Sequence, residues 1–377
     1  MLFKRHFLNF FFVSLLYFTL GSVNLSFAQE KESKWFVDKP KPTVIDWDTN
    51  YYASYMDELT TRLYSSVKYT AFRISNKEEN QNLLYLGNRN IILGFGATYS
   101  WFTLNIGLNF PFVNHDNSKY GKTNYLDLQT HMYLRKMNLD LYAQNYNGSY
   151  LQNSGNVLSN WPQNDTFQKR RDISTFTIGY NVQYVFNWKR FSYKAIYNQN
   201  EWQKKSAGSL VIGTNAFFYV NVADSSFFPQ NLENPDLFYG LDYNRQDVLN
   251  VGLSAGYYYT LVIAKHFFIS AGAAGGPGLG YVWINDGVKE SVRFSSVAFN
   301  FNAMGRASIG YNSERVFVGA SILQQFFFNQ QPTQNIWNHF GTGNARIYLV
   351  YRISLKKPIK LANPNYWKLF NKDEVDE

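Results

Sequence analysis

The sequence predicts an all-β protein, an antiparallel transmembrane β-barrel of about twelve (12–14) strands that follows a cleaved signal peptide. Three observations predict this fold. The chain begins with a short basic and apolar stretch of the kind that directs export. Aromatic residues make up 19% of the chain, yet its mean hydropathy is only −0.33. Apolar and polar residues also alternate over many short segments, as in strands that face two different environments.

Residues 1–28 form the predicted signal peptide. Lys4 and Arg5 give it a basic start, an apolar run covers residues 7–20, and residues 26–28 have the small-x-small pattern that signal peptidase accepts. The apolar run is short for a membrane helix, so an uncleaved anchor is the less favoured alternative. We therefore expect cleavage after residue 28.

Composition restricts the remaining function classes. The chain contains no Cys, which excludes disulfides, thiol chemistry and a lipidated cysteine. Removing residues 1–28 takes away two basic residues and no acid, which leaves 34 basic and 27 acidic residues, a net charge of +7. These charges are scattered, and an exported protein rarely meets nucleic acid, so we expect no nucleic-acid partner. A secreted β-sandwich is the alternative fold, but it rarely needs so many aromatic residues.

The alternation is clearest in residues 124–135. One face carries apolar side chains and Thr130, and the other face carries Asp127, Gln129, His131, Tyr133 and Arg135. These polar groups cannot all face lipid cheaply, so we predict that the apolar face meets the bilayer and the polar face meets the lumen. The same alternation occurs in residues 102–113, 175–186, 299–311 and 346–353.

The breaks between strands are of two kinds. Very short breaks occur at residues 100–101, 136–137, 188–189, 264–266 and 312–314. Longer polar loops occur at residues 76–88, 114–122, 151–172, 223–246 and 329–344. Short turns on one side and long loops on the other are typical of outer-membrane barrels. Trp101 and Trp188 lie beside short turns, where an interfacial aromatic girdle is expected.

The strand count is ambiguous at one place. About thirteen segments qualify as strands, whereas single-chain bacterial barrels normally have an even number. Either residues 223–246 contain a further strand or one predicted strand near them is false, so twelve strands are slightly favoured. The predicted organisation is a signal peptide over 1–28, an irregular periplasmic segment over 29–58, the barrel over 59–354 and a periplasmic tail over 355–377.

Three segments carry a family resemblance: residues 82–111, residues 124–153 and residues 204–209. Their strings of strand and turn residues resemble a domain-of-unknown-function family whose members are taken to be outer-membrane barrels of Bacteroides-type Gram-negative bacteria. The resemblance covers about residues 35–355. It implies a location in the cell outer membrane and a barrel fold, and it implies no activity. The polar tail departs from the terminal Phe on which many outer-membrane barrels end.

No catalytic, cofactor-binding or metal-ligating residues are predicted, and no cofactor is expected. Outside the signal peptide the histidines are His115, His131, His266 and His339, and they form no ligand set by their spacing. His131 is about 13 Å along its strand from each charged neighbour, so a partner strand would have to complete any polar site there. The glycines between residues 272 and 280 lack the ending of a phosphate loop and favour close packing.

The predicted function is an outer-membrane barrel without a specified role: a structural or ligand-binding barrel, or a narrow solute path. A general channel or transporter and a lipid-modifying barrel enzyme are the alternatives, and we expect no enzymatic activity. Expected partners are outer-membrane lipids, the barrel-assembly machinery during insertion, and an unknown ligand or envelope component. Loops 151–172 and 223–246 are candidate binding surfaces because they contain Trp161, Phe227, Phe228, Phe238 and Tyr239.

The lumen is expected to be occupied by side chains, because an intermediate strand number leaves the outcome to the residues that face inward. A small open channel is the alternative. Three arginines on the inward faces, Arg135, Arg306 and Arg352, need hydrogen-bond acceptors, which Asp127, Asp140 and neighbouring amides can supply. The other long or aromatic residues predicted to face inward are Tyr133, Tyr142, Gln144, Gln183, Met304 and Tyr348.

Overall fold

A computed structural model describes residues 46–100, 102–110, 112–114, 116–162, 166–238, 241–286, 291–330 and 336–355. These residues belong to one compact unit that begins at Ile45. The predicted signal peptide, most of the predicted N-terminal segment and nearly all of the predicted tail lie outside the described residues, so those predictions are not tested.

The described chain is almost entirely β-structure. In chain order, the strands are β1 Tyr52–Ser54, β2 Leu59–Asn76, β3 Gln81–Leu86, β4 Ile91–Tyr99, β5 Phe102–Asn109, β6 Asn124–Tyr133, β7 Met137–Leu151, β8 Gln168–Val185, β9 Glu201–Gln203, β10 Ala207–Val222, β11 Arg245–Ile263, β12 Phe267–Asp286, β13 Ser291–Asn312, β14 Val316–Gln330 and β15 Ile336–Ile353. Short helical turns lie between them at Asn117–Tyr120, Ser154–Val157, Lys194–Asn198 and Pro235–Phe238. A helix with the length and apolar character of a membrane span does not occur in the described residues.

Ten strands close into an antiparallel ring: β2, β3, β7, β8 and β10 to β15. The ring is closed by β15 and β2, whose pairing runs from Ile336↔Asn76 to Ile353↔Leu59. The predicted all-β antiparallel barrel is therefore confirmed. Closure leaves none of these ten strands at the edge of an open sheet.

Three further strands widen the wall on one side. The first half of β2 pairs with β4 from Thr60↔Thr98 to Val67↔Ile91, whereas its second half pairs with β3. β5 then pairs with β4, and β6 pairs with β7. A cross-section of the barrel at the level of the first half of β2 therefore cuts twelve strands: β2, β4 to β8 and β10 to β15. In this section β5 and β6 are neighbours, but no pairing joins them in the described residues.

The two faces of the wall are as the alternation predicts. On β6 the side chains of Leu126 and Leu128 are exposed on the outside, at 60% and 57%, while Asp127 and His131 point inward. On β8, Phe176 is exposed, whereas Thr177 and Gln183 are fully buried. The inward predictions for β13 and β15 are confirmed by the burial of Asn300, Asn302, Arg306, Tyr348 and Arg352.

One end of the barrel carries the shortest connections, and we call it the turn end. There β6 and β7 are joined by residues 134–136, β11 and β12 by 264–266, and β13 and β14 by 313–315. The opposite end, which carries the described residues 152–162, 166–167, 223–238 and 241–244 of two long connections, is called the loop end.

The predicted short turn at Trp188-Lys189 is wrong. β8 ends at Val185 and β10 begins at Ala207, and the chain between them folds back into the lumen at the turn end. The hidden strand considered for residues 223–246 is also absent from the described part of that connection. Burial of aromatic residues inside the barrel, rather than an additional strand, interrupts the regular alternation of turns and loops.

Candidate functional site

The loop end of the lumen is filled by a buried apolar cluster. Its residues from the connection between β10 and β11 include Phe227, Phe228 and Phe238, which pack against inward residues of the wall such as Phe72 and Tyr85. The Tyr85 hydroxyl donates a hydrogen bond to the carbonyl oxygen of Phe227 at 2.5 Å. We call this set the loop-end cluster. The three phenylalanines that marked loop 223–246 as a candidate binding surface are therefore buried inside the barrel, and binding of an envelope component by this loop stays a prediction.

The two remaining loop aromatics differ. Trp161 is half-buried, packs against the loop-end cluster and donates its indole N–H to the carbonyl oxygen of Thr166 at 3.0 Å. Tyr239 lies outside the described residues. Packing inward explains why these connections are rich in aromatic residues, because apolar side chains in a long loop are stabilised by burial rather than by exposure to water.

The turn end is filled by a second buried group, the turn-end plug, which consists of residues 46–58 and 186–206. Its two parts are joined by the short ladder between β1 and β9, from Tyr52↔Gln203 to Ser54↔Glu201. Tyr193 stacks on the inward Tyr133 of β6, with ring centroids 5.9 Å apart. Phe191, Ala195 and Ile196 are buried in the same cluster.

Arg352 of β15 anchors the plug to the wall. Its guanidinium donates to the carbonyl oxygens of Gln199 and Glu201 and to Asn312 Oδ1, the last at 2.8 Å. Asn312 in turn donates to the carbonyl oxygen of Ala195 at 3.1 Å. The predicted need of Arg352 for acceptors is thus met mainly by backbone carbonyl oxygens of the plug, and not by a carboxylate.

A buried lysine lies inside the plug. Lys194 is only 2% exposed, and its Nζ lies 3.3 Å from Met56 Sδ. Burial disfavours the ammonium form and lowers the pKa of Lys194 to about 8, although the nearby Glu201 acts in the opposite direction. The stability of the plug is therefore coupled to pH.

An ion pair lies in the lumen next to the plug. Arg306 of β13 donates to Asp140 of β7 at 2.5 Å, and both side chains are fully buried. His131 Nδ1 lies 2.7 Å from the other carboxylate oxygen, and Arg306 donates to the Tyr133 hydroxyl at 2.6 Å. Asn181 supplies a further donor to Asp140. The predicted acceptor for Arg306 is confirmed, and a partner strand does complete the polar site around His131.

The third predicted inward arginine is placed differently. Arg135 lies in the turn after β6, where it pairs with Asp46 and stacks against Trp47 with its guanidinium 4.0 Å from the ring centroid. Arg135 therefore binds the N-terminal part of the plug and does not line the middle of the lumen.

A second charged centre surrounds Asp127 of β6. Its Oδ1 accepts from Lys68 Nζ at 3.2 Å, and its Oδ2 accepts from Tyr146 Oη at 2.5 Å and Gln144 Nε2 at 2.9 Å. Gln129 also donates to Oδ2 and accepts from Asn344 of β15. Asp127 therefore binds a lysine, and not one of the arginines expected from sequence.

Sequence reasoning missed Lys68. The outward face of β2 contains Thr61 and Ser65 among its apolar residues, so the alternation that marks an inward cation is weak in this strand. Asp127 on the inward face of β6 could have indicated such a cation, because a carboxylate in the lumen needs a hydrogen-bond donor from another strand.

Amide side chains cross the middle of the lumen. Asn300 donates to Asn250 at 3.1 Å, and Asn215 donates to Asn302 at 2.9 Å. The glycines of β12 give them room, since a Cβ at Gly278 would overlap Asn300 Oδ1. The interpretation of the glycine run as close packing is confirmed.

β5 differs from the rest of the wall because it is exposed on both faces. Its inward positions Asn105, Gly107 and Asn109 are exposed, as are its outward residues. Tyr64 of β2 reaches toward this inward face, since a Cβ at Gly107 would lie 3.0 Å from its hydroxyl oxygen. An open space therefore lies behind β5, beside the line where β5 and β6 fail to pair.

The histidines do not converge on a site. His131 is oriented by Asp140, but its Nε2 has no hydrogen-bond partner in the described structure, so it lacks the nucleophile of a catalytic triad. His266 stacks against Trp202, and His339 lies beside Trp337 on β15. His115 lies outside the described residues. Within the described ranges, no three acidic or histidine side chains are grouped as metal ligands.

Comparisons with known proteins give one family and several distant structures. A family model described as a domain of unknown function (DUF4421) matches residues 46–353. No curated protein sequence matches the chain. The outer-membrane protease OmpT of Escherichia coli aligns at 8% identity and a TM-score of 0.36, over 80% of this chain and 98% of OmpT. The OmpT protein of Vibrio cholerae aligns at 11% identity and a TM-score of 0.25, over 77% and 96% of the two chains.

A third structure, the attachment invasion locus protein Ail of Yersinia pestis, aligns at 9% identity and a TM-score of 0.18, over 76% of this chain and 97% of Ail. Each of these scores is below 0.5, so no property of those proteins is transferred to this chain.

Proposed function

The chain belongs to the DUF4421 family, a domain of unknown function, and from that premise we propose that it is an outer-membrane β-barrel protein whose lumen is closed to general diffusion. Its proposed location is the cell outer membrane, reached after cleavage of residues 1–28, with the turn end toward the periplasm and the loop end outside. The family itself assigns no activity, so the role is argued from the wall and the lumen.

The outer face supports the location. Large apolar side chains are exposed around the outside of the barrel, and more than half of the surface of each is accessible. They include Leu128, Leu210, Leu253, Leu279 and Ile347. A continuous apolar surface of this extent is unfavourable in water and is stabilised by lipid. The proposed partners are accordingly outer-membrane lipids and, during insertion, the barrel-assembly machinery.

The proposal of a closed lumen rests on the observation that both ends of the barrel are filled by buried side chains. The loop-end cluster blocks one mouth and the turn-end plug blocks the other, while the Asp140–Arg306 pair and the asparagine bridges cross the interior between them. A barrel filled in this way suits a structural or ligand-binding role, or a narrow path that opens only when both the plug and the loop-end cluster move. We propose no enzymatic activity, because His131 and Asp140 have no nucleophile beside them.

Recording in planar bilayers tests this proposal. The purified mature chain is expected to give no porin-sized conductance steps, whereas a variant in which residues 187–205 and residues 224–243 are each replaced by a short Gly-Ser turn is expected to conduct, because both mouths are then cleared. Stable large steps from the unmodified barrel would show an open lumen, which is the channel alternative. Failure of the mature chain to insert into bilayers at all would contradict the proposed location.

A further inference from the structure

The wall contains a seam at membrane depth. β5 and β6 follow one another around the wall, but no pairing joins them in the described residues, although each is fully paired on its other side with β4 or β7. We call the line between them the seam. Outward residues on both sides of it are apolar and exposed: Leu104 and Ile106 on β5, and Leu126 and Leu128 on β6. If the barrel spans a bilayer as proposed, this seam faces hydrocarbon.

An unpaired strand edge is costly in that environment. Backbone N–H and C=O groups that face hydrocarbon without a partner cost several kcal/mol each, which is why membrane barrels normally close completely. The edges of β5 and β6 therefore require polar partners. Water or a polar ligand group within the seam meets this requirement, and an acyl chain alone does not.

The space behind the seam is polar and accessible. Inward residues elsewhere in the wall, such as Thr177 and Asn250, are fully buried, whereas Asn105 and Asn109 on β5 are exposed. Across the seam, the inward face of β6 presents Gln129, which is half-buried. The seam therefore opens onto a polar chamber rather than onto the packed centre of the lumen.

The chamber carries an uncompensated positive charge. Lys68 is paired with Asp127. The Asp127 carboxylate also accepts hydrogen bonds from Tyr146, Gln144 and Gln129. Arg346 is the second cation. It lies opposite Ser66 on β2, with its guanidinium 5.8 Å from the ring centroid of Tyr64, the same side chain that reaches behind Gly107.

Arg346 has no acidic partner among the residues that the structure describes. Its Nε is without a hydrogen-bond partner in the described structure, and no ion pair joins it to a described carboxylate. Two cations thus face one carboxylate behind the seam, which favours an anionic group in the chamber.

The outside of the barrel offers a place for an acyl chain next to this opening. A groove of about 500 Å³ runs over the outer faces of β15, β2, β4 and β5. Its lining includes Leu63, Phe95, Leu349 and Tyr351, together with Leu104 and Ile106, which also border the seam. An apolar chain that leaves the seam across β5 therefore enters an apolar groove.

We propose that the seam is a lateral portal that binds one anionic lipid of the surrounding bilayer, with its phosphate at Arg346 and Lys68 and an acyl chain in the outer groove. This proposal rests on the proposed membrane location. It assigns a ligand class to the barrel and a route that does not pass through either filled end.

Lipid binding is tested with the full mature chain in detergent, titrated with phosphatidylglycerol or phosphatidylcholine and followed by native mass spectrometry. The unmodified barrel is expected to retain phosphatidylglycerol preferentially. Arg346→Gln and Lys68→Gln should each weaken that binding by about tenfold, the effect of losing one charge-assisted hydrogen bond. Arg190→Gln is the matched control, because it removes the same charge from an exposed position of the plug.

The opening itself is tested by thiol labelling, which the absence of native Cys makes unambiguous. In nanodiscs of phosphatidylcholine, Asn105→Cys should react with a bilayer-soluble maleimide, such as N-pyrenylmaleimide, that reaches the seam from the lipid, and phosphatidylglycerol should slow the reaction. Ser254→Cys, a buried inward position on β11, should not react.

Three results would overturn the proposal. They are equal retention of the two lipids, unchanged phosphatidylglycerol binding in both charge variants, and an unreactive Asn105→Cys, which would show that β5 and β6 pair in the bilayer. Each of these results is obtained with a preparation that inserts into planar bilayers and does not conduct there, so none of them is confused with failure of the proposed function.

Discussion

Asp140→Asn is expected to destabilise the barrel strongly. The substitution keeps the shape of the side chain but leaves the Arg306 guanidinium without its counter-charge, in a place where neither side chain is exposed. The Tyr133 hydroxyl, Met304 Sδ and the faces of nearby tyrosine rings would remain near the cation, and none of them carries a negative charge. Removing one partner of a buried ion pair costs about 3–5 kcal/mol. We expect the free energy of unfolding to fall by that amount.

The double variant Asp140→Asn/Arg306→Met separates the pair energy from the cost of an unpaired charge. Because it leaves no buried guanidinium, it should be less destabilised than Asp140→Asn alone. Arg190→Met is the control, since its ion pair with Asp48 is long at 3.8 Å and exposed. It should cost at most about 1 kcal/mol.

Urea unfolding of the refolded barrel in lipid vesicles, followed by tryptophan fluorescence, measures these differences. A loss below about 1 kcal/mol for Asp140→Asn would refute the reasoning, because it would mean that the site is hydrated or that the pair is not formed. A double variant less stable than either single variant would refute it as well.

Three further predictions concern the wall, the plug and the chain start. Leu128→Arg places a cation on the lipid face and should cost about 2–4 kcal/mol in the same unfolding assay, whereas Gln129→Arg, facing the lumen, should cost less; equal losses would contradict the orientation of β6. The pKa of Lys194 is lowered to about 8 in the folded chain, below its unfolded value of about 10.4, so stability should rise by up to about 3 kcal/mol as the pH rises through this interval. Lys194→Met should abolish that rise, and an unchanged pH profile in this variant would contradict it. The intact mass of membrane-extracted protein should correspond to a chain that begins at Gln29, and a chain that retains residues 1–28 would contradict export with cleavage.

The faces of the strands were predictable from sequence because the side-chain period of a strand is two. Once Asp127 and His131 are assigned to the lumen, Leu126 and Leu128 must face lipid, and the structure places them so. The same argument places Arg306 inward, and a buried guanidinium requires an acceptor. Part of the ionic centre was therefore predictable.

The turn-end plug was not predictable from the same rule. Trp188-Lys189 has the polarity of a turn, and the apolar residues that follow it, such as Phe191 and Ile196, are compatible with a strand of the wall. They are instead buried inside the lumen. Periodicity reports that a residue is buried on one side, and does not distinguish lipid from the barrel interior.

The seam was also beyond sequence reasoning, for a different reason. β5 and β6 both show ordinary alternation, so each qualifies as a wall strand. Whether they pair depends on the connection between them and on β3, which reaches β7 through only Tyr85↔Leu151 and Leu86↔Tyr150. Such non-local pairing leaves no local signal in the residues of either strand.

The closed lumen is tested most directly by thiol accessibility at Ser254→Cys, a nearly isosteric change in the middle of β11, in barrels reconstituted into vesicles of native-like lipid. Ser254 faces inward and is 7% exposed, whereas Glu233 at the loop end and Lys265 at the turn end are exposed. With an impermeant maleimide added to both sides, Glu233→Cys and Lys265→Cys should react within minutes, while Ser254→Cys should stay unmodified until the plug residues 187–205 are removed. Rapid modification of Ser254→Cys in the intact barrel would show that water and solutes enter from an end, and would contradict a lumen closed at both ends.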